Sequence, residues 1–141
     1  VLLVVIFLVI LAVRSLFSNK PEVTEVDPTP TIVLPTVSEN IKVDLTPLSG
    51  NKAVKLNIKG LTPEMESVEY ELTYVTGNGL PRGVLGKINL KGEKEITRSD
   101  IVLGTCSSGK CAYDSGVTSV NLSLKFNSAA KASVFQKTYS L

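Results

Sequence analysis

The feature that most constrains this chain is an apolar run at its N-terminus. Residues 1–13 are all apolar, and Arg14 and Ser15 interrupt the run only once before it ends at Phe17. Burying one large apolar side chain is worth about 1.5–3 kcal/mol, so exposing the whole run to water would cost more than the net stability of a small domain. The segment therefore needs an apolar environment, either lipid or other copies of itself.

We predict a hydrophobic α-helix over residues 1–19, because Pro21 stops a helix at about this point. Apolar side chains cover every face of such a helix, which indicates that it is buried all round. Arg14 is the exception, and near the C-terminus of the helix it would complement the helix dipole. The residues that we expect to form this core or assembly helix are Leu2, Val5, Phe7, Leu11, Arg14 and Phe17.

Three interpretations of this segment are open. A cleavable secretory signal has basic residues before its apolar run, whereas here Arg14 and Lys20 follow it. A membrane span needs about 20 residues to cross roughly 30 Å of hydrocarbon, and residues 1–17 would reach only about 26 Å as a helix. In the third interpretation a short basic leader has been removed before Val1, and the helix sits first in the membrane and then among its own copies.

The third arrangement, an apolar N-terminal helix followed by a β-rich remainder, resembles the type IV filament superfamily. The resemblance implies that a prepilin peptidase trims a basic leader and that the mature helices bundle into the core of a filament. Bacterial members usually carry a glutamate at the fifth mature position, where this chain has Val5. Archaeal-type members lack that glutamate and follow the helix with a β-sandwich, so the implied architecture is that of an archaeal-type pilin.

Residues 20–38 differ sharply from the apolar run, because they contain four prolines, four threonines and no glycine. Such dense proline favours an extended, semi-rigid spacer, and we predict a linker over these residues. Within it Ile32, Val33 and Leu34 form a short β-prone patch. The patch either packs on its own domain as an edge strand or adds as a strand to the sheet of a neighbouring subunit.

From residue 39 to residue 141 the sequence alternates apolar and polar residues, which is the pattern of half-buried β-strands. Five runs alternate regularly, at residues 41–46, 54–59, 68–74, 87–91 and 120–126, and two less regular runs lie at residues 96–103 and 133–139. About seven strands in ~100 residues are typical of an immunoglobulin-like or fibronectin-III-like antiparallel β-sandwich. The predicted fold class is therefore mostly β, with a hydrophobic N-terminal α-helix, a linker and a β-sandwich domain.

Cys106 and Cys111 are the only cysteines, and four residues separate them. Gly109 permits the sharp turn that brings the two within bridging reach. We predict a structural disulfide that pins an exposed hairpin, which implies an oxidising compartment outside the cytoplasm. A redox-active pair is the alternative, but the spacing is not the C-x-x-C of that chemistry.

The composition argues against catalysis and cofactors. Histidine is absent, which excludes Ser-His-Asp and Cys-His arrangements, and two cysteines are too few for a structural zinc site. No spacing of acidic residues resembles a calcium loop. The net charge is only +2, with the basic residues scattered, so we expect no nucleic-acid partner. We predict no catalytic, cofactor-binding or metal site, and no enzyme activity.

These observations lead to an expected function and an alternative to it. The first is a structural subunit of an extracellular, pilus-like filament, a homopolymer built through the N-terminal helix, with the protein inserted in the membrane before assembly. The alternative is a single-pass membrane-anchored adhesion or binding module at the cell surface, with residues 77–83 and 106–114 as its candidate recognition loops. Asn121 begins an N-x-S sequon on the outward face of a strand and is a candidate glycosylation site.

Overall fold

A computed structural model of the protein describes residues 34–141, and every structural statement below concerns this part of the chain. It consists of strands joined by turns, with a single 3-10 turn at Ser49–Asn51. The strands are β1 (Lys42–Pro47), β2 (Ala53–Lys59), β3 (Met65–Val75), β4 (Pro81–Asn89), β5 (Glu95–Val102), β6 (Gly104–Ser107), β7 (Lys110–Tyr113), β8 (Ser119–Ser128) and β9 (Ala132–Ser140).

Alternation of apolar and polar residues explains why these segments are strands. Successive side chains of a strand point to opposite faces, so every second residue is available for the interior. In β2, β3 and β8 the alternate apolar residues are buried, as the sequence predicts. The buried members of these three strands are Val54, Leu56, Ile58, Val68, Tyr70, Leu72, Tyr74, Val120, Leu122, Leu124 and Phe126.

The strands form two antiparallel sheets that enclose one apolar core. One sheet has three strands in the order β1-β2-β5, and the other has four in the order β4-β3-β8-β9. Residues from the inner faces of both sheets belong to the same buried cluster, in which Leu56 of the first sheet and Phe126 of the second are almost completely enclosed. A separate two-stranded hairpin, β6-β7, lies in the connection between β5 and β8.

The predicted fold class is wrong in its helical part. Between residues 34 and 141 the structure has no α-helix, because apolar residues there recur at every second position and turns interrupt the runs. The helix predicted for residues 1–19 lies outside the described residues and is not shown. The mostly β character of the prediction is confirmed. Among the described residues, no helix has the length and apolar character that a membrane crossing requires.

The fourth strand is longer than the sequence predicts. The alternation indicated a strand at residues 87–91 and a loop at residues 77–83, whereas β4 begins at Pro81 and pairs with β3 through nine consecutive residue pairs. Gly83 and Gly86 weaken the strand signal because glycine is depleted in strands. Gly86 has a packing role, since a Cβ atom at this position would overlap the ring of Tyr70 on β3.

Candidate functional site

The two candidate recognition loops lie together at one end of the two-sheet domain. We call this region the loop end and define it as the β3–β4 turn (residues 76–80), the β6-β7 hairpin and residues 114–118. The Gly77 amide donates a hydrogen bond to the Ser115 carbonyl at 2.8 Å. Gly116 packs so closely on Gly77 that a Cβ atom on it would lie 2.6 Å from the Gly77 Cα atom. The turn and the segment after the hairpin therefore form one continuous surface.

A polar cluster of Tyr74, Asp114 and Arg82 fastens the loop end to the four-stranded sheet. The Tyr74 hydroxyl donates to Asp114 Oδ2 at 2.9 Å, and Arg82 Nε lies 3.7 Å from Asp114 Oδ1. Burial of the phenol and its hydrogen bond to the Asp114 carboxylate raise the pKa of Tyr74 to about 12. Tyr74 therefore stays protonated to a higher pH than a free tyrosine, and its hydroxyl remains a hydrogen-bond donor to Asp114.

The disulfide prediction is confirmed in the β6-β7 hairpin. Cys106 and Cys111 are paired residues of the two strands and are bonded, with their Cα atoms 4.0 Å apart. The two turn residues Ser108 and Gly109 both have positive φ, at 50° and 78°, which is the backbone of the tight turns that join twisted hairpins. The bond thus closes a short loop at an exposed tip.

A cation–π contact ties the base of the hairpin to the β1–β2 connection. Lys52 Nζ lies 5.3 Å from the centre of the Tyr113 ring, and the Leu103 amide donates to the Lys52 carbonyl at 2.9 Å. The Asp114 amide in turn donates to the Leu103 carbonyl at 2.9 Å. Both strands of the hairpin are therefore held at their bases, while Tyr113 remains half exposed as the main aromatic surface of the loop end.

Asn121 lies in the middle of β8, on the outer face of the four-stranded sheet, and is exposed as the sequence predicts. Its Oδ1 atom accepts a hydrogen bond from the Thr138 hydroxyl at 2.6 Å. The side chain borders an open depression of about 550 Å³, lined also by Glu71, Ser123 and Gln136. The acceptor nitrogen of the sequon is thus on a solvent-facing polar surface, and its glycosylation stays a prediction.

The end of the predicted linker is paired with the domain. The Val134 amide of β9 donates to the Pro35 carbonyl, and the Val37 amide donates to the Val134 carbonyl, each at 2.9 Å. This short segment runs parallel to β9. We call it the N-terminal seam (residues 35–37). Of the candidate inter-subunit strand, Leu34 precedes the seam and is half-buried, while Ile32 and Val33 lie outside the described residues.

The residues predicted to form the core or assembly helix are not among those that the structure describes. These residues are Leu2, Val5, Phe7, Leu11, Arg14 and Phe17. Within residues 34–141, no three histidine, cysteine or acidic side chains group together as metal ligands would. The sequence did not indicate the Tyr74–Asp114 contact, because 40 positions separate the two residues and only the fold brings them together.

Comparisons with known proteins add no relative. No protein-family model matches the chain, and neither the search of curated proteins nor that of solved structures gave a match.

Proposed function

We propose that this chain is a structural subunit of an extracellular, pilus-like filament. Its apolar N-terminal segments would associate along the axis, and its β-domains would lie outside. The observation that carries the proposal is the apolar run at residues 1–13. Leaving this run exposed to water without an apolar partner would cost a large free energy. Association among identical runs is a contact that repeats without closing, and such contacts build filaments.

The β-domain supports this role by its chemistry. The Cys106–Cys111 disulfide favours a location outside the cytoplasm, where filament subunits reside. The outer face of the four-stranded sheet carries polar and charged residues, among them the pair Lys125 and Glu69 at 3.7 Å. A polar outer layer keeps an assembled fibre soluble. The strand order is also compatible with an immunoglobulin-like or fibronectin-III-like sandwich, the architecture expected of an archaeal-type pilin domain.

A second candidate, a membrane-anchored adhesion or binding module, is favoured by the position of the loop end. The N-terminal seam runs parallel to β9, so Leu34 lies towards the start of β9. The loop end is near the finish of that strand, where the Leu141 amide donates to the Thr118 carbonyl at 2.9 Å. The chain therefore enters the domain at the end opposite its most irregular loops, which a surface module would turn towards a ligand.

Electron microscopy of the full-length protein tests the filament proposal. The wild-type chain, purified in detergent, is expected to form long uniform fibres when the detergent is removed. Leu11→Asp places a charge inside the apolar run and should abolish the fibres, because an unpaired charge is costly to bury. Lys55→Asp is the matched control, since Lys55 is exposed on β2 and its replacement should leave the fibres intact.

Two results would contradict the filament. Wild-type protein that stays monomeric without detergent would show that the run needs no apolar partner. Wild-type protein that instead inserts singly into liposomes, with its β-domain projecting as separate particles, would favour the anchored module. In both variants, a far-ultraviolet circular dichroism spectrum and a thermal unfolding curve that match wild type verify that the β-domain has folded.

A further inference from the structure

Three of the four lateral edges of the two sheets are covered by another group or interrupted by a bulge. The N-terminal seam bonds to β9 at Val134. In β1 the Val43 carbonyl accepts a hydrogen bond from the Tyr139 hydroxyl at 2.9 Å, and the strand ends at Pro47. Exposed edges attract other strands, and natural proteins protect them with such coverings, prolines, bulges and inward-pointing charges.

The β5 edge has two of these protections. Its register against β2 shifts between the pairs Leu56–Arg98 and Val54–Ile101, so the strand is bulged. Arg98 also lies opposite the buried Leu56, so its backbone position is on the inner face, and its charged side chain is 47% exposed at the margin of the core. Its Nε atom pairs with Asp100 Oδ1 at 2.6 Å on the same strand. Bulges and inward charges both discourage edge-to-edge pairing.

The β4 edge has neither a covering nor a bulge within residues 34–141, although its first residue is Pro81. Its nine pairs with β3 run without a bulge. At the two ends of this ladder the Leu90 amide donates to the Glu66 carbonyl and the Thr76 amide to the Leu80 carbonyl. Because backbone groups alternate in direction along a strand, the even-numbered residues of β4 bond to β3. The amides of Gly83, Leu85 and Lys87 therefore point outward, away from the sheet.

Leu85 lies at the centre of this open edge and is 75% exposed, more than the other large hydrophobic residues that the structure leaves exposed. We propose that β4 pairs antiparallel with β4 of a second copy of this chain, about a twofold axis at Leu85. The two four-stranded sheets would then join into one continuous sheet. The proposal does not depend on the apolar run, and the contact closes at two copies because it is isologous.

The side chains of β4 are complementary in this register. Leu85 faces Leu85 of the second copy on the outer surface, and this contact removes apolar area from water. Lys87 faces Gly83, so no two like charges are opposed. A register centred two residues later would place Lys87 against Lys87, which is unfavourable between directly paired residues. The charges of the edge thus favour the alignment centred on Leu85 over the one centred on Lys87.

Cysteine cross-linking of the full-length protein in detergent tests the proposal. In the paired register the two Leu85 Cα atoms would be about 5.5 Å apart, within the range for a disulfide. Leu85→Cys should therefore form a covalent dimer under mild oxidation. Val75→Cys is the matched control, since Val75 is 56% exposed but lies at the end of β3, away from the edge. It should stay monomeric under the same conditions.

A second variant separates backbone pairing from simple proximity in a micelle. Gly83→Pro in the Leu85→Cys background removes an outward amide that β3 does not use, and it should abolish the cross-link while the domain stays folded. A cooperative thermal unfolding transition of the variant verifies that it is folded. A cross-link that persists with Gly83→Pro would overturn the proposal. So would equal cross-linking at positions 75 and 85, or none at position 85. Mass spectrometry of the Cys106–Cys111 bond in each variant excludes disulfide exchange as the source of dimers.

Discussion

The ring of Tyr70 on β3 lies across Gly86 on β4, and it occupies the space that a side chain at position 86 would need. Tyr70 is buried, so its ring has little freedom to move aside. We expect Gly86→Ala to destabilise the domain by about 1–3 kcal/mol, the usual cost of overpacking a core. Urea denaturation followed by tyrosine fluorescence measures this change.

Gly83→Ala is the control for that prediction. A Cβ atom at position 83 would lie 3.5 Å from the Leu72 carbonyl oxygen, an ordinary contact. This variant should be neutral or more stable by about 0.4–1 kcal/mol, because alanine restricts the unfolded chain more than glycine does. If the two variants lose the same stability, the cost comes from the loss of a strand glycine and not from the Tyr70 ring.

The Tyr74–Asp114 hydrogen bond predicts a pH dependence above pH 10. The pKa of Tyr74 is about 12 in the folded protein against 10.0 for the free group, so the unfolded chain loses this proton first. Stability from Tyr74 is fully present below pH 10 and falls as the pH rises towards 12. After allowance for solvent screening, the loss should be about 1–2 kcal/mol.

Tyr74→Phe isolates this effect, because phenylalanine does not titrate. At pH 8 the variant should be less stable than wild type by about 1–2 kcal/mol, since it lacks a hydrogen bond to a charged acceptor. Between pH 10 and pH 12 the difference in free energy of unfolding between the two proteins should shrink, because only wild type loses the stability that the protonated Tyr74 hydroxyl contributes. Urea unfolding of both proteins at matched pH values measures this difference. If it stays constant from pH 8 to pH 12, Tyr74 is not the group responsible for the pH dependence.

The disulfide should act locally. Replacing both Cys106 and Cys111 with serine opens a loop with a sequence separation of only five, and the chain-entropy estimate for so short a loop is about 2 kcal/mol or less. We expect a modest fall in melting temperature but much faster trypsin cleavage at the exposed Lys110. Cleavage sites are identified by mass spectrometry of the fragments. Unchanged cleavage at Lys110 would show that the hairpin is held without the bond.

The N-terminal seam can be tested through one amide. Val134→Pro removes the amide that donates to the Pro35 carbonyl, while odd-numbered residues of β9 make the bonds to β8, as the Leu141 amide does at the end of the ladder. We expect a loss of about 1 kcal/mol and faster hydrogen exchange at the Val37 amide. Gln136→Pro is the control, because its amide also points outward, beyond the seam, and exchange at Val37 should not change.

Much of the β-domain was predictable because its strands are half-buried. Alternation alone located β2, β3 and β8, whose inner residues fill the core. Alternation did not locate the first part of β4, where position 86 is a glycine because the Tyr70 ring leaves no room for a side chain. A residue selected by a partner on another strand carries no periodic signal. The helical part of the predicted fold class was wrong for the described chain, where the 3-10 turn is the single helical element.

The candidate site was predictable in its turns and not in its contacts. Glycine and serine signals indicated both loops, and the short cysteine spacing indicated the hairpin bond. The approach of Gly116 to Gly77 and the Tyr74–Asp114 bond join segments that are distant in sequence. Such contacts depend on how the two sheets bring their ends together, which local patterns do not encode.

The N-terminal seam also has a mechanical consequence. Its two hydrogen bonds, through Pro35 and Val37 to Val134, lie across a segment that runs parallel to β9. A pull on the chain at Leu34, directed along the strand, would load both bonds in shear at the same moment instead of peeling them apart in turn. Within the described residues, tension applied from the N-terminal side would thus act first on the two hydrogen bonds of the N-terminal seam, before it acted on the strands inside the sheets.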